Sequence, residues 1–230
     1  MNYKFAVIGL GNFGMTVART LSLHEAEVLA VDIDENKIDD IRNDVAYAVT
    51  MDATDIRALK SQNVYELDAV VVAIGENFES LLLCTAHLID MKIPRIITRA
   101  SNPTQKMILE KMGIEEIISP EEDEGISMAN RLLNPSFINF IPLPDGYEIV
   151  EVKTPKNIVD RTVGDLNLRK KYNVNLITVK RITEPTNDDK GESGYHVIGV
   201  PRPETSLQES DILYLMGKEK DIERLIEINK

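Results

Sequence analysis

Cysteine is almost absent: Cys84 is the single one in 230 residues, which excludes an intramolecular disulfide and fits a reducing compartment. Basic charge is short as well, 26 Lys and Arg against 38 Asp and Glu, for a formal net charge of −12. A surface this acidic repels phosphate backbones, so nucleic-acid binding is disfavoured. Long apolar runs are missing. A stretch such as "AVVVAIG" falls far below the ~20 residues that cross a bilayer as a helix, and no direct membrane insertion is expected. No signal peptide is visible, because Tyr3 and Lys4 pass straight into a strand-like run. The expected location is the cytoplasm.

Catalytic motifs are scarce too. There is no zinc-ligand cluster, no serine elbow and no Walker-type Gly-Lys-Ser/Thr. The three histidines, His24, His87 and His196, read as structural or surface residues rather than bases. A dehydrogenase would need a proton donor or acceptor near its nicotinamide, usually from a substrate domain, and the second half of this chain is small for one. Cys84, within "SLLLCTAHL", reads as a core residue. Sensing is favoured over catalysis, and the chain is expected not to be an enzyme.

What the chain does have is an alternation of β-rich runs and helix-period segments. "YKFAVIG", "AEVLAVDI", "VAYAVTM", "LDAVVVAIG", "PRIITRA" and the weaker "IEEIIS" alternate with helical stretches from about residues 12, 35, 54, 77, 103 and 121. That rhythm predicts crossover units and a doubly wound parallel α/β sheet, Rossmann-like, with helices on both faces. "NPSFINFIPLPDG" interrupts it, and beyond lie "YEIVEVKT", a helical "TVGDLNLRKKY", "VNLITVKRI", "YHVIGV", "DILYLMG" and an amphipathic "KDIERLIEI". Strands now cluster with fewer helices, which predicts a smaller α+β domain. The expected layout is a nucleotide-binding domain over 1–140, a linker over 141–147 and a second domain over 148–230. The polar tract "TEPTNDDKGESG" reads as a hairpin loop between two strands.

The chemistry concentrates in "FAVIGLGNFG". Gly9 permits a tight turn, Gly11 lets backbone approach a pyrophosphate, and Gly14 lets a helix pack on the strand. The amides of Asn12, Phe13 and Gly14 then face phosphate with the positive end of the helix dipole. Asp32, 18 residues after Gly14 and followed by Ile33, is placed to accept the ribose 2′ and 3′ hydroxyls and to repel a 2′-phosphate, which argues against NADP. Asp52 and Ala53, in "MDAT", border the adenine side. Ala73, Ile74, Gly75 and Asn77, in "AIGEN", lie across the switch point. Arg99 is the nearest basic candidate for a terminal phosphate, the alternative being a surface ion pair. In "ISPEEDEG", Ser119, Pro120 and Glu122 match a capped helix start. Glu121 beside them is a candidate ligand for Mg2+ or another cation held at a polyphosphate.

These segments, with "EVLAVDIDENKI", "MGIEEIISPEEDEG" and "LNLRKKYNVNLITVKR", together resemble the RCK (TrkA-N/TrkA-C) regulators of Trk/Ktr-type potassium uptake, closest to the Ktr-type cytosolic gating subunits. The resemblance spans nearly the whole chain. It implies an octameric homo-oligomeric ring beneath a membrane-embedded potassium channel or transporter, with ATP against ADP, or NADH against NAD, altering ring geometry and pore opening. It also implies Asp32 at the ribose, Asp52 and Ala53 at the adenine, Gly11 to Gly14 at phosphates and Glu121 on a cation. One departure matters: ATP-responsive Ktr relatives carry arginine where this chain has Asn12. Without that charge-assisted contact, selection for a triphosphate weakens, and ADP, AMP and NAD(H) stay open beside ATP. Arg169 and Asn175 fall where relatives bind cyclic di-AMP at a dimer interface; the alternative is a plain amphipathic helix. "GISMANRLLNPSFINFI" is a candidate inter-subunit contact. The competing functions are a free-standing nucleotide sensor and a small NAD-dependent oxidoreductase.

Overall fold

The structure, a computed structural model, describes residues 3–182 and 194–229. It divides into two compact units, Met1–Asp123 and Glu124–Lys230.

The first unit runs β1 (Lys4–Ile8), α1 (Asn12–Leu23), β2 (Glu27–Asp32), α2 (Glu35–Ile41), β3 (Tyr47–Thr50), α3 (Ile56–Ser61), β4 (Ala69–Val72), α4 (Phe78–Asp90), β5 (Ile96–Arg99), α5 (Pro103–Lys111) and β6 (Glu116–Ile118). Its six strands are parallel in the order β3-β2-β1-β4-β5-β6, the doubly wound order expected from the sequence. Because side chains alternate across a strand, the apolar runs feed two cores. Ala6, Ile8, Leu29 and Val31 point into one, with Leu59, Leu81, Cys84 and Leu88 from the helices. Val7, Val28 and Ala30 point into the other, with Ala18, Ile38 and Ile41. The winding reverses between β1 and β4, and this opens a crevice at their carboxyl ends.

α6 (Pro120–Leu133) begins in the first unit and ends in the second. β7 (Phe137–Pro142), β8 (Tyr147–Lys153), α7 (Val163–Leu166), α8 (Leu168–Tyr172), β9 (Asn175–Ile182), β10 (Tyr195–Val197), β11 (Ile212–Lys218) and α9 (Glu219–Ile228) follow. The five strands form an antiparallel sheet, β10-β9-β11-β8-β7. Its buried side, Val150, Val152, Val179, Leu213 and Leu215, packs with Leu166, Leu168, Ile222 and Leu225 of the helices. The α+β expectation for this half holds.

Two expectations give way. Residues 141–147 do not form a linker: they finish β7, turn, and enter β8, with which β7 pairs. The proline that suggested a break, Pro142, ends an edge strand, where a missing N–H is tolerated. "TVGDLNLRKKY" is two short helices, because Asn167 between them takes a left-handed conformation (φ 47°). β9 and β10 pair antiparallel as a hairpin requires. Residues 183–193, most of the polar tract between them, lie outside the described residues.

Candidate functional site

The glycine turn is shaped by close packing at two of its three positions. Gly9 has φ +97°, and a Cβ there would stand 2.9 Å from the Ala73 carbonyl carbon and the Ile74 nitrogen. A Cβ on Gly14 would collide with the Gly9 carbonyl oxygen and press on the Ala73 side chain. Ala73 itself is fixed by donating its amide to the Ile8 oxygen at 2.7 Å. Gly11 differs: a Cβ would meet nothing within 4 Å, so its bareness serves no packing. It is the N-cap of α1 and offers no side-chain cap, so the first turn of the helix, from Asn12 through Phe13 to Gly14, opens without an internal acceptor from that residue.

Asp32 ends β2 and is only 7% exposed. Its Oδ2 accepts the Leu10 amide at 2.6 Å, its Oδ1 accepts the Asp34 amide at 2.9 Å, and the Lys37 ammonium lies 3.4 Å from Oδ2. The carboxylate therefore ties the glycine turn to the end of the neighbouring strand. Three donors occupy a group with about four acceptor directions, which leaves room for one more. Ile33 beside it is 71% exposed. Lys37 was not singled out from the sequence. Its only signal was its place one turn into the helix that follows the acid.

After β3, Asp52 folds onto its own loop, its Oδ1 accepting from the Thr54 amide at 2.9 Å and hydroxyl at 2.7 Å. Ala53 is buried, and the His87 ring nitrogen sits 3.0 Å from the Thr54 carbonyl, pinning this loop to α4. Asn77 caps α4, its Oδ1 accepting from the Ser80 amide at 3.0 Å. Cys84 is fully buried; desolvation, then the charge of Asp52, pushes its thiol up to about 12. The other histidines occupy structural or surface positions: His24 closes α1 and His196 lies on an exposed strand.

Arg99, ending β5, has its guanidinium against Gly75, where a Cβ would meet Nη1 at 2.6 Å. It forms an ion pair with Glu121 of α6. The ion pair expected as the alternative reading of Arg99 is therefore present, at the carboxyl rim of the sheet. Pro120 opens α6, and the Asp123 amide donates to the Ser119 carbonyl, as a helix start there requires. Among the described residues no group of three or more His, Cys, Asp and Glu could hold a metal, so Glu121 would need ligand oxygens to complete a cation site.

In the second unit, Arg169 and Asn175 are brought together, the Arg169 Nε donating to the Asn175 Oδ1 at 2.8 Å. No described helix is long and apolar enough to cross a membrane.

Comparison with known proteins agrees with this architecture. Residues 5–120 match the TrkA-N domain and residues 147–230 the TrkA-C domain. The Ktr system potassium uptake protein A of Bacillus subtilis (strain 168) is 35% identical over 223 residues, covering 97% of this chain and 95% of that protein. The Ktr system potassium uptake protein C of the same organism is 32% identical over 224 residues, covering 97% and 96%. The crystal structure of the GsuK RCK domain superposes with a TM-score of 0.64 at 15% identity, a likeness of fold covering 100% of this chain and 48% of that one. The NAD(P)-binding domain of an exopolyphosphatase-related protein from Archaeoglobus fulgidus reaches a TM-score of 0.51 at 25% identity, covering 57% of this chain and 98% of that one.

A doubly wound glycine-turn domain followed by a small antiparallel one thus defines a TrkA-N/TrkA-C pair. The chain belongs to the Ktr/Trk family of potassium uptake proteins.

Proposed function

We propose that this chain is a nucleotide-sensing regulatory subunit that gates a membrane potassium channel or transporter through a ligand-dependent change in an oligomeric ring. The observation that carries the reading is the crevice. Gly11 is bare although no neighbour requires it, and Asp32 is anchored beneath the turn, in a chain that matches Ktr proteins over nearly its whole length. Phosphate lies over Gly11 to Gly14, the ribose hydroxyls reach Asp32, one at its open acceptor direction and the other in place of the Lys37 ammonium, and the adenine lies between Ile33 and the Asp52–Ala53 loop, with Ala73, Ile74, Gly75 and Asn77 opposite. The NAD(P)-binding name of the A. fulgidus domain supports an adenosine ligand. ATP or ADP fits the class, with NAD(H) and AMP as the alternatives that Asn12 keeps open. Glu121 contributes to a cation, Mg2+ for example, only together with ligand phosphate. Arg169 and Asn175, already bonded to each other, present a polar pair to cyclic di-AMP.

Gating requires that one nucleotide favour one conformation over another, since equal affinity for both moves nothing. α6 supports assembly: it has no buried residue, and Ile126, Met128, Leu132 and Leu133 are 54%, 46%, 74% and 76% exposed. Covering that apolar face with another copy builds the ring, held at the cytoplasmic face of the membrane by its transporter partner.

The test is calorimetry with ATP, ADP, AMP, NAD, NADH and cyclic di-AMP, with and without magnesium, on the protein and on Asp32→Ala. Binding of at least one adenosine compound, lost on substitution, supports the reading; binding indifferent to Asp32 overturns it. Light scattering addresses the ring, and a strict monomer at micromolar concentration would remove it. Potassium flux in vesicles carrying the partner transporter, with and without this subunit, addresses the gating.

A further inference from the structure

Beyond the Lys37 ammonium on Asp32, the rim of the crevice holds Arg99, a cation that is already engaged. Arg99 is fixed from two sides. Its guanidinium lies against Gly75, a position with no side chain to hold it away, and its Nη2 pairs with the Glu121 carboxylate. Its side chain is 18% exposed, and its buried Nε has no hydrogen-bond partner among the described residues. Glu121 is the more exposed member, with a side chain 62% exposed and a place in the first turn of α6 beside Glu122 and Asp123.

The position of this pair matters. Gly75 is two residues from Ala73, whose backbone packs under Gly9 and whose side chain packs against Gly14. From the phosphate-holding turn outward, the rim therefore runs from bare amides to a guanidinium and then to a carboxylate. The first phosphate of a ligand meets only amides. A second or third phosphate meets a cation whose charge is already spent on Glu121, next to two more acids.

We propose that Glu121 acts as an internal competitor of ligand phosphate for Arg99, so that this pair sets how many phosphates the site prefers. The proposal rests on the adenosine reading above and adds the selector to it. A β- or γ-phosphate that reaches Arg99 has to displace the Glu121 carboxylate from Nη2, the nitrogen that carries the ion pair. A monophosphate does not reach that far and is indifferent to the pair. The exposed, partly screened carboxylate yields to a doubly charged phosphate at moderate cost, which tunes the preference without abolishing binding.

The experiment is calorimetry with AMP, ADP and ATP in the presence of a chelator, so that no divalent cation bridges phosphate and carboxylate. The wild type is compared with Glu121→Gln, Glu122→Gln and Arg99→Gln. Glu121→Gln is expected to tighten ADP and ATP by about threefold to tenfold and to leave AMP within about twofold. Glu122→Gln removes the same charge from the same helix turn without touching Arg99, and shows less than half that gain. Arg99→Gln lowers the ATP-to-AMP preference, and adding Glu121→Gln to it restores nothing. An unchanged ATP-to-AMP ratio in Glu121→Gln overturns the competitor, as does an equal gain in Glu122→Gln. Failure of the wild type to bind any of the three is a different result, which removes the selector and leaves the adenosine reading to stand or fall on NAD and NADH.

Discussion

No side chain fits between Gly9 and Ala73: a Cβ at position 9 would stand 2.9 Å from the Ala73 carbonyl carbon, on a backbone already at φ +97°. At Gly11, two residues on, a Cβ would meet nothing within 4 Å. The two glycines therefore separate shape from binding. Gly9→Ala is expected to lose about 2–4 kcal/mol of stability from left-handed strain and displaced backbone. Gly11→Ala is expected to cost under about 1 kcal/mol while weakening nucleotide binding on the order of tenfold. Urea denaturation and calorimetry on the two variants check both halves.

Asp211, 1% exposed, depends on Arg181 in the second unit. The guanidinium reaches it through two bonds of 2.7 Å and also donates to the Ser206 carbonyl, while the Gln208 amide binds the same carboxylate. Arg181→Met strands a buried carboxylate and is expected to cost roughly 3 kcal/mol. Arg181→Met with Asp211→Leu is expected to recover more than half of that, since the stranded charge and not the lost attraction dominates. Chemical denaturation of the single and double variants decides it.

Glu148 is a carboxylate that the fold would rather keep protonated. Burial pushes its proton affinity above the usual carboxylate range, and the charges of Glu219 and Glu223 push the same way. Its Oε1 has no hydrogen-bond partner among the described residues. A carboxyl whose folded value is raised favours the folded state below that range and loses this contribution as pH rises through it. Glu148→Gln is therefore expected to stabilise at neutral pH, by less than about 1 kcal/mol because the group is partly solvated, and to do almost nothing near pH ~4. Urea midpoints at the two pH values read the difference.

Cys84, fully buried, carries a thiol pushed up to about 12 and is expected to be inert while the chain is folded. Its labelling by a thiol reagent should follow the rate of opening of the first unit. Labelling within the mixing time in native buffer would show that α4 frays far more easily than the burial of its Leu81, Cys84 and Leu88 in the core implies.

The first unit was legible because its signals are local and mutually consistent. Continuous apolar strands, a glycine turn and an acid at the next strand end leave one arrangement, and Asp32 does meet that turn. The pairing of Arg99 with Glu121 was not legible, because 22 residues and a whole helix separate them and only the sheet order makes them neighbours. Asn77 and Asp52 look like ligand residues in the sequence, yet each spends an oxygen on its own backbone turn. β7 was hidden by Pro142, whose meaning depends on the edge position that the chain acquires only on folding. The break at Asn167 was hidden because Leu166 and Leu168 both reach the core, so hydrophobic spacing reads through it.

α6 is divided between the two compact units, with the division after Asp123, at the end of its first turn. Anyone wishing to study the halves in isolation would be cutting through a helix there. Cutting after Asp123 would orphan helical carbonyls on one fragment and amides on the other. Clean dissection has to give the entire rod to one side or the other, and the recipient that keeps it also keeps Glu121 away from, or next to, its arginine.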